Sequence, residues 1–257
     1  MERLASARIV MWEGGGLWIV DATPEKTRVS KRTDAHAHHA IQVTIGLGGR
    51  FRLDADEAHV GGDAVAVAAD ASHVFEAEGL IALLFVEPES RLGRAVASAV
   101  FRGPALASVA EDRIGDFREC VIAAYRAPVR DDAALEALGR DLTRRLAGAG
   151  SAHPPDLRVR RMIAWAAEHI EAPISLSDAA AVSDLSPGRL RHLFVQETGL
   201  AFKTYLLWLR LVRAVERAAA GASLTEAAYE AGFADSAHFS RTFRRMFGVA
   251  PAALRMT

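Results

Sequence analysis

The stretch "SLTEAAYEAGFADSAHFSRTFRRMFGVAPAALR", Ser223 to Arg255, carries the reading of the fold. Ser223 before an apolar residue, with Glu226 in the first turn, is a helix start: serine caps the free amides and the acid suits the positive end of the helix dipole. A short Ala-rich helix follows and breaks at Gly232-Phe233. A second helix is predicted over Ser236–Phe247, closed by Gly248 and by Pro251 at the start of a final short helix. At roughly 100° per residue, Phe239, Phe243 and Met246 share one face of the second helix. Ala237, Ser240, Arg241 and Arg244 point the other way. The phenylalanines anchor the helix and the arginines are left outside.

The same plan occurs once before. "SLSDAAAVSDLSPGRLRHLFVQETGLAFKTYL" begins at Ser175 with the same Ser-Leu start, Asp178 in the place of Glu226, an Ala-rich helix, a turn and a longer helix from about Pro187 to Glu197. There Leu190, Leu193 and Phe194 share one face, while Gly188, Arg191 and His192 lie on the other. Helix, tight turn and second helix make a helix-turn-helix unit. The two copies are joined by "FKTYLLWLRLVRAVERAAAG", a helix with Tyr205, Leu206, Leu209, Val212 and Val215 on or near one side. A lone amphipathic helix with arginines is usually a solvated face. Two copies held by one long helix point to DNA: a major groove admits a helix, arginine bonds guanine O6 and N7 together, and small residues let the backbone approach the bases. Held near one turn of B-DNA apart, ~34 Å, both helices would enter successive major grooves.

From Val159 to Arg255 the sequence resembles the AraC/XylS family of bacterial transcription regulators. The Ala-x-x-x-Gly-Phe, Phe-x-x-x-Phe, Phe-Gly and Pro-x-x-x-Arg elements of the second copy carry the resemblance, as do "LSPGRLRHLF", "ETG" and "YLLWLRLVRA" in the first. It implies DNA contacts at Gly188, Arg189, Arg191 and His192 in the first unit and at Ser236, Ala237, Ser240 and Arg241 in the second; Arg244, on the same outer face by helical periodicity, joins the candidates. His192 departs from the arginine common at its position; a shorter, pH-dependent side chain shifts weight to Arg191. The resemblance also implies double-stranded DNA, a small-molecule or metal effector, a second copy of the chain and RNA polymerase as partners.

Between about Ile9 and Val86 the chain reads as short, partly alternating, valine-rich strands separated by turn residues, which predicts an antiparallel barrel or sandwich. Within it, "HAHHAIQVTIGLGG" and "GGDAVAVAADASHVF" resemble the two motifs of the cupin barrel. His36-x-His38, Gln42 and Gly49 follow the first, with Gln42 where glutamate is usual. Gly62 and His73 follow the second, with Ala68 and Asp70 in place of the usual proline and glycine. His36, His38, Gln42 and His73 are the candidate ligands for a divalent metal such as Zn, Fe, Mn, Ni or Cu. A metal-free pocket for a small molecule is the favoured alternative, and no cofactor is required.

The expected fold is therefore α+β: a cupin-like sensor barrel over residues 1–88, a helical connector with a candidate dimerisation stripe over 89–147, a Gly/Pro linker over 148–156, and an all-α double helix-turn-helix domain over 157–257. In the connector, Leu135, Leu138, Leu142 and Leu146 form the stripe, which must pack on the barrel or on a second subunit. Composition agrees with a folded protein: 51% apolar, 25% charged and a net charge of −1. The N-terminal part is slightly acidic and the C-terminal part slightly basic, with arginine as nearly its only cation. The one cysteine, Cys120, allows no intrachain disulfide and reads as a buried small residue. "LIALLFV", Leu80 to Val86, is too short to span a bilayer and reads as a buried strand. With no signal peptide evident, the expected compartment is the cytoplasm. The competing expectation is a metal-dependent cupin enzyme carrying a degenerate helical appendage; no other catalytic constellation supports it.

Overall fold

The computed structural model describes residues 5–22, 32–55, 58–60, 62–150 and 152–257. Ser151 of the expected linker, and the parts of the expected barrel outside these ranges, are not among them. The N-terminal strands are β1 (Ala5–Trp12), β2 (Gly15–Asp21), β3 (Ile41–Gly46), β4 (Arg50–Ala55), β5 (Ala58–Val60), β6 (Ala64–Val67), β7 (Val74–Glu78) and β8 (Leu80–Val86). Then come α1 (Arg91–Val100), β9 (Leu106–Ser108), α2 (Glu111–Ile114), α3 (Phe117–Arg126) and α4 (Asp132–Ala147). The C-terminal part holds α5 (Leu157–Glu168), α6 (Leu176–Val182), α7 (Pro187–Thr198), α8 (Phe202–Ala219), α9 (Leu224–Glu230) and α10 (Ser236–Phe247), a 3₁₀ turn at Pro251–Ala253 and β10 (Leu254–Met256).

The described strands form two sheets. Seven lie in the order β10-β1-β2-β8-β3-β6-β9, and three in the order β5-β4-β7. The α+β class is as expected, with the strands shared between two sheets. Two expectations are corrected. The connector is not purely helical, because β9 extends the large sheet from β6. Nor is the chain helical to its end: β10 pairs in parallel with β1, Ala5 opposite Leu254 and Ala7 opposite Met256. The last residues of the C-terminal helical part thus complete the N-terminal sheet.

Both faces of the large sheet are covered, and the strand pleat shows it. On β8, Ala82, Leu84 and Val86 enter one core while Ile81, Leu83 and Phe85 enter another. On β2, Leu17 and Ile19 join the first and Trp18 and Val20 the second. Alternate side chains point to opposite faces of a strand, so a strand buried on both faces reads as an unbroken apolar run. That is why "LIALLFV" shows no alternation.

The first core is roofed by the connector. Leu135, Leu142 and Leu146 of α4 are buried against the sheet with Leu138 partly so, and Gly139 admits the Trp12 ring. The leucine stripe is therefore used within the chain. The second core is shared with the C-terminal part: Trp208, Leu211 and Val215 of α8, Ala228 of α9 and Phe239, Phe243 and Met246 of α10 pack against it. The first helix-turn-helix unit keeps a core of its own, built from Val159, Met162, Leu190, Phe194, Phe202 and Tyr205. The long helix α8 takes part in both. Among the described residues, no helix is long and apolar enough to cross a membrane.

Candidate nucleic-acid interface and histidine site

Both helix-turn-helix units are built from capped ends inward. Ser175 and Asp178 form a reciprocal capping box at α6, and Ser223 and Glu226 form the same box at α9. Ser186 caps α7, with Pro187 in its first turn, and Asp235 caps α10. Both second helices end on a left-handed glycine, Gly199 (φ 79°) and Gly248 (φ 69°). Leu190 and Phe194 bury the inner face of α7, and Phe239, Phe243 and Met246 that of α10.

What remains outside is polar and cationic. Gly188, Arg189, Arg191 and His192 are exposed on α7, and Ala237, Arg241 and Arg244 on α10; Ser236 and Ser240 are partly exposed. A side chain added at Gly188 would meet nothing within 4 Å, so this surface is open to a groove. Arg244 is already engaged, however: its Nε and Nη2 each lie 2.8 Å from Asp34 Oδ2 of the N-terminal part. Sequence periodicity placed Arg244 on the outer face; only the docking of the two parts supplies its partner.

The second cluster is made by His36, His38 and His73, all buried, each offering a nitrogen within 4.8 Å of the others. An isolated bridge between His36 and His73 joins the two segments: the backbone of each donates to the carbonyl of the other, at 3.0 and 2.8 Å. Each ring has one nitrogen committed to a protein oxygen. His36 Nδ1 donates to the Asp34 carbonyl (2.8 Å) and His73 Nδ1 to the Ala71 carbonyl (2.9 Å). His38 Nε2 donates to Gln42 Oε1 (3.0 Å). That leaves His38 Nδ1 and His73 Nε2 buried without a partner. Burial first, then the neighbouring imidazoles, hold His36 down at about 4 and His38 at about 3; burial also lowers His73. All three are neutral near pH 7, with lone pairs to offer.

Gln42 lies against His38 at the edge of the cluster. Its oxygen accepts from His38 and its amide donates to Thr44 Oγ1 (2.9 Å). Through the bond to His38 it orients that ring, as outer-shell partners orient metal-binding imidazoles.

A second group, centred on His39 and Glu89, completes the seam. His39 Nδ1 donates to Asp70 Oδ2 at 2.9 Å, and its Nε2 lies 3.2 Å from Glu89 Oε2, an ion-pair distance without hydrogen-bond alignment. Burial works against the charge on His39, but the two carboxylates outweigh it and lift the group to about 9. Tyr205 of α8 donates to Glu89. The neighbouring Glu87 is raised to about 8 by burial and by Glu89. No spacing rule links positions 39, 70, 89 and 205, so nothing in the sequence joins them into one group. Cys120, expected to be buried, is half-buried, with its thiol 3.8 Å from Asp116 Oδ2. Partial burial and Asp116 raise its pKa, which makes it a poor nucleophile.

Two spaces adjoin the histidines. A cleft of about 1380 Å³ opens between the N-terminal part and the helical units, with His36, His38, Arg191, Lys203 and Arg245 on its walls. A smaller apolar chamber of about 90 Å³ is lined by Trp18, Phe75, Leu83 and Phe85 together with Phe247 and Leu254, with His36 and Gln42 as its polar edge.

Residues 179–257 match the family described as "Helix-turn-helix domain". Over 101 residues the chain is 38% identical to the HTH-type transcriptional activator RhaS of Enterobacter sp. (strain 638) and 40% identical to RhaS of Escherichia fergusonii. These alignments take in 39% of this chain and 36% of each relative's own length. At the level of fold, the structure is similar to ToxT from Vibrio cholerae O395, with a TM-score of 0.59 at 13% identity over 94% of this chain and 96% of the other. It is also similar to unsaturated fatty acid bound ToxT from V. cholerae strain SCE256, with a TM-score of 0.53 at 12% identity over 94% and 95%.

Proposed function

We propose that this chain is a transcription regulator of the AraC/XylS type, which binds double-stranded DNA through α7 and α10 under the control of an effector taken up by its N-terminal part; the helix-turn-helix match and the likeness to RhaS support this. The observation that carries the reading is the repeated outer face. Two capped helices, each sealed inward by phenylalanine and leucine, present arginine, histidine and small residues to solvent at equivalent positions. Arginines and helix N-termini supply contacts to phosphates, which position the protein, and base-edge contacts from Arg191 and Arg241 select the sequence.

Effector control is supported by the chamber and the histidines, whose walls come from both parts of the chain. A small, largely apolar molecule with one polar group suits the chamber, and a divalent metal suits the three imidazoles. A fatty acid is the ligand named for one ToxT structure, which agrees with an apolar effector here. RNA polymerase, a second copy of the chain and a cytoplasmic setting belong to the same reading. The enzyme alternative required a degenerate helical appendage, whereas both helical units here keep their caps, turns and cores.

The test is selection of bound duplexes from a random pool with the full chain, followed by fluorescence anisotropy on the enriched sequence. Arg241→Ala is expected to weaken specific binding by about 1–3 kcal/mol and to relax preference at one position. Failure to enrich any sequence overturns the reading.

A further inference from the structure

A third space lies where β8 runs out beneath α8. Side chains alternate along a strand, and Glu87 N–H still bonds the Gly14 carbonyl at 3.0 Å. Glu87 therefore follows Leu83 and Phe85 to the face of the sheet that α8 covers. There it meets a pocket of about 30 Å³ walled by Trp12, Trp18, Phe85, Trp208 and Phe247. The indole N–H groups of Trp18 and Trp208 are buried without a partner. The groups around Glu87 are mostly acidic. Glu89, Glu13 of the β1–β2 turn and Glu216 of α8 all act with burial to hold its carboxyl up at about 8. His39 acts the other way, but that ring is held between Asp70 and Glu89. Glu216 has Arg213 at 3.5 Å. Arg140, with its Cζ 5.5 Å from the Trp12 ring centroid, is paired with Glu136 at 2.7 Å. Among the described residues, no cation is hydrogen-bonded to Glu87.

We propose that this pocket binds the ammonium head of a small primary amine, with Glu87 as its counter-charge and the rings of Trp12, Trp18 and Trp208 as its walls. The site depends neither on the DNA reading nor on the histidine cluster.

A cation is the species these groups call for. Ammonium is attracted to an indole ring by the ring quadrupole, and a carboxylate drawn out of water gains most from a charged hydrogen-bonding partner. A wholly apolar guest would leave the Glu87 carboxyl and two indole N–H groups unsatisfied. Size selects the head. A volume of about 30 Å³ is roughly the room of one or two water molecules, which suits –NH₃⁺ and is tight for a trimethylammonium group. The pocket is partly open, so the carbon chain of the amine can run outward. Binding also moves a proton. The head enters as a cation and the Glu87 carboxyl gives its proton to solvent, leaving an ammonium–carboxylate pair. With that carboxyl at about 8, most chains carry the proton at pH 7, and about one proton leaves for each amine bound.

The experiment uses the full chain labelled with ¹⁵N and follows the indole N–H signals of its four tryptophans. The probe is n-propylamine at constant ionic strength, with n-propanol as the uncharged control. Trp165 of α5 stacks on His169 away from the pocket and serves as the internal reference. Saturable shifts are expected at Trp12, Trp18 and Trp208 with propylamine, none at Trp165, and none with propanol at equal concentration. Calorimetry in two buffers of different ionisation enthalpy should show release of about one proton at pH 7, and affinity should rise about tenfold from pH 6 to pH 7. Glu87→Gln, a neutral variant of the same shape, should keep the spread of amide signals and lose the response. Trp12→Leu, at the rim, should weaken amine binding about two- to tenfold. Equal shifts with propanol, an equal response in Glu87→Gln, or shifts that do not saturate overturn the inference and leave a pocket that holds water alone. Failure of the chain to enrich any duplex would leave these results standing.

Discussion

Asp70 shows how one departure from a motif is absorbed. Its backbone has φ 61°, a conformation natural to glycine and tolerated by aspartate. The side chain that glycine lacks accepts from His39. His39 is held charged between Asp70 and Glu89, with its pKa raised from the ordinary 6.5 to about 9. A base raised on folding contributes stability that is complete below pH 6.5 and lost as pH climbs through the folded value. Glu87, raised to about 8, acts in the same sense above its unfolded value. Metal-free protein should therefore show a urea midpoint that falls between pH 6.5 and about 9, with a smaller fall in His39→Gln. An identical slope in that variant removes His39 from the account. His36 and His38 act at the acid end: their stability is present above pH 6.5 and lost as pH falls toward about 4 and 3.

At the scale of elements, α10 has a duty on each side. Its inner face closes the core shared with the sheet: Phe247 meets Trp18 and Phe243, with ring centroids 5.0 and 4.8 Å away, and Phe243 is fully buried. Phe243→Ala should cost about 3–5 kcal/mol in denaturant unfolding and loosen the sheet as well as the helix. Periodicity identified this inner face without help from structure, since aromatics that recur once per helical turn mark a buried stripe. It did not identify the surface that the face would meet. An amphipathic stripe records that burial occurs, not against what. The same holds for the α4 leucines, whose choice between sheet and second subunit was settled by the fold.

For the molecule as a whole, β10 is the tie that makes two parts one. Ile9 N–H donates to the Thr257 carbonyl and Thr257 N–H to the Ala7 carbonyl, each at 2.9 Å. A chain ending at Ala253 should therefore exchange amide hydrogens faster in β1, α9 and α10, as seen by mass spectrometry. Helices α5 to α7 should keep their protection, because their core is separate. Equal deprotection of both helical units would show that the tail does not govern docking.

The order of residues alone determined the two helix-turn-helix units, their caps, their outward cations and the three histidines brought together in the N-terminal part. These rest on local periodicity, capping chemistry and short motif spacings, all written within a few dozen residues. The tertiary structure alone decided that Gln42 turns to His38, that Arg244 is held by Asp34 and that the final strand joins the first. Each depends on groups brought together by chain packing across tens to hundreds of positions or by the direction a side chain takes. Neither leaves a period or a spacing in the sequence.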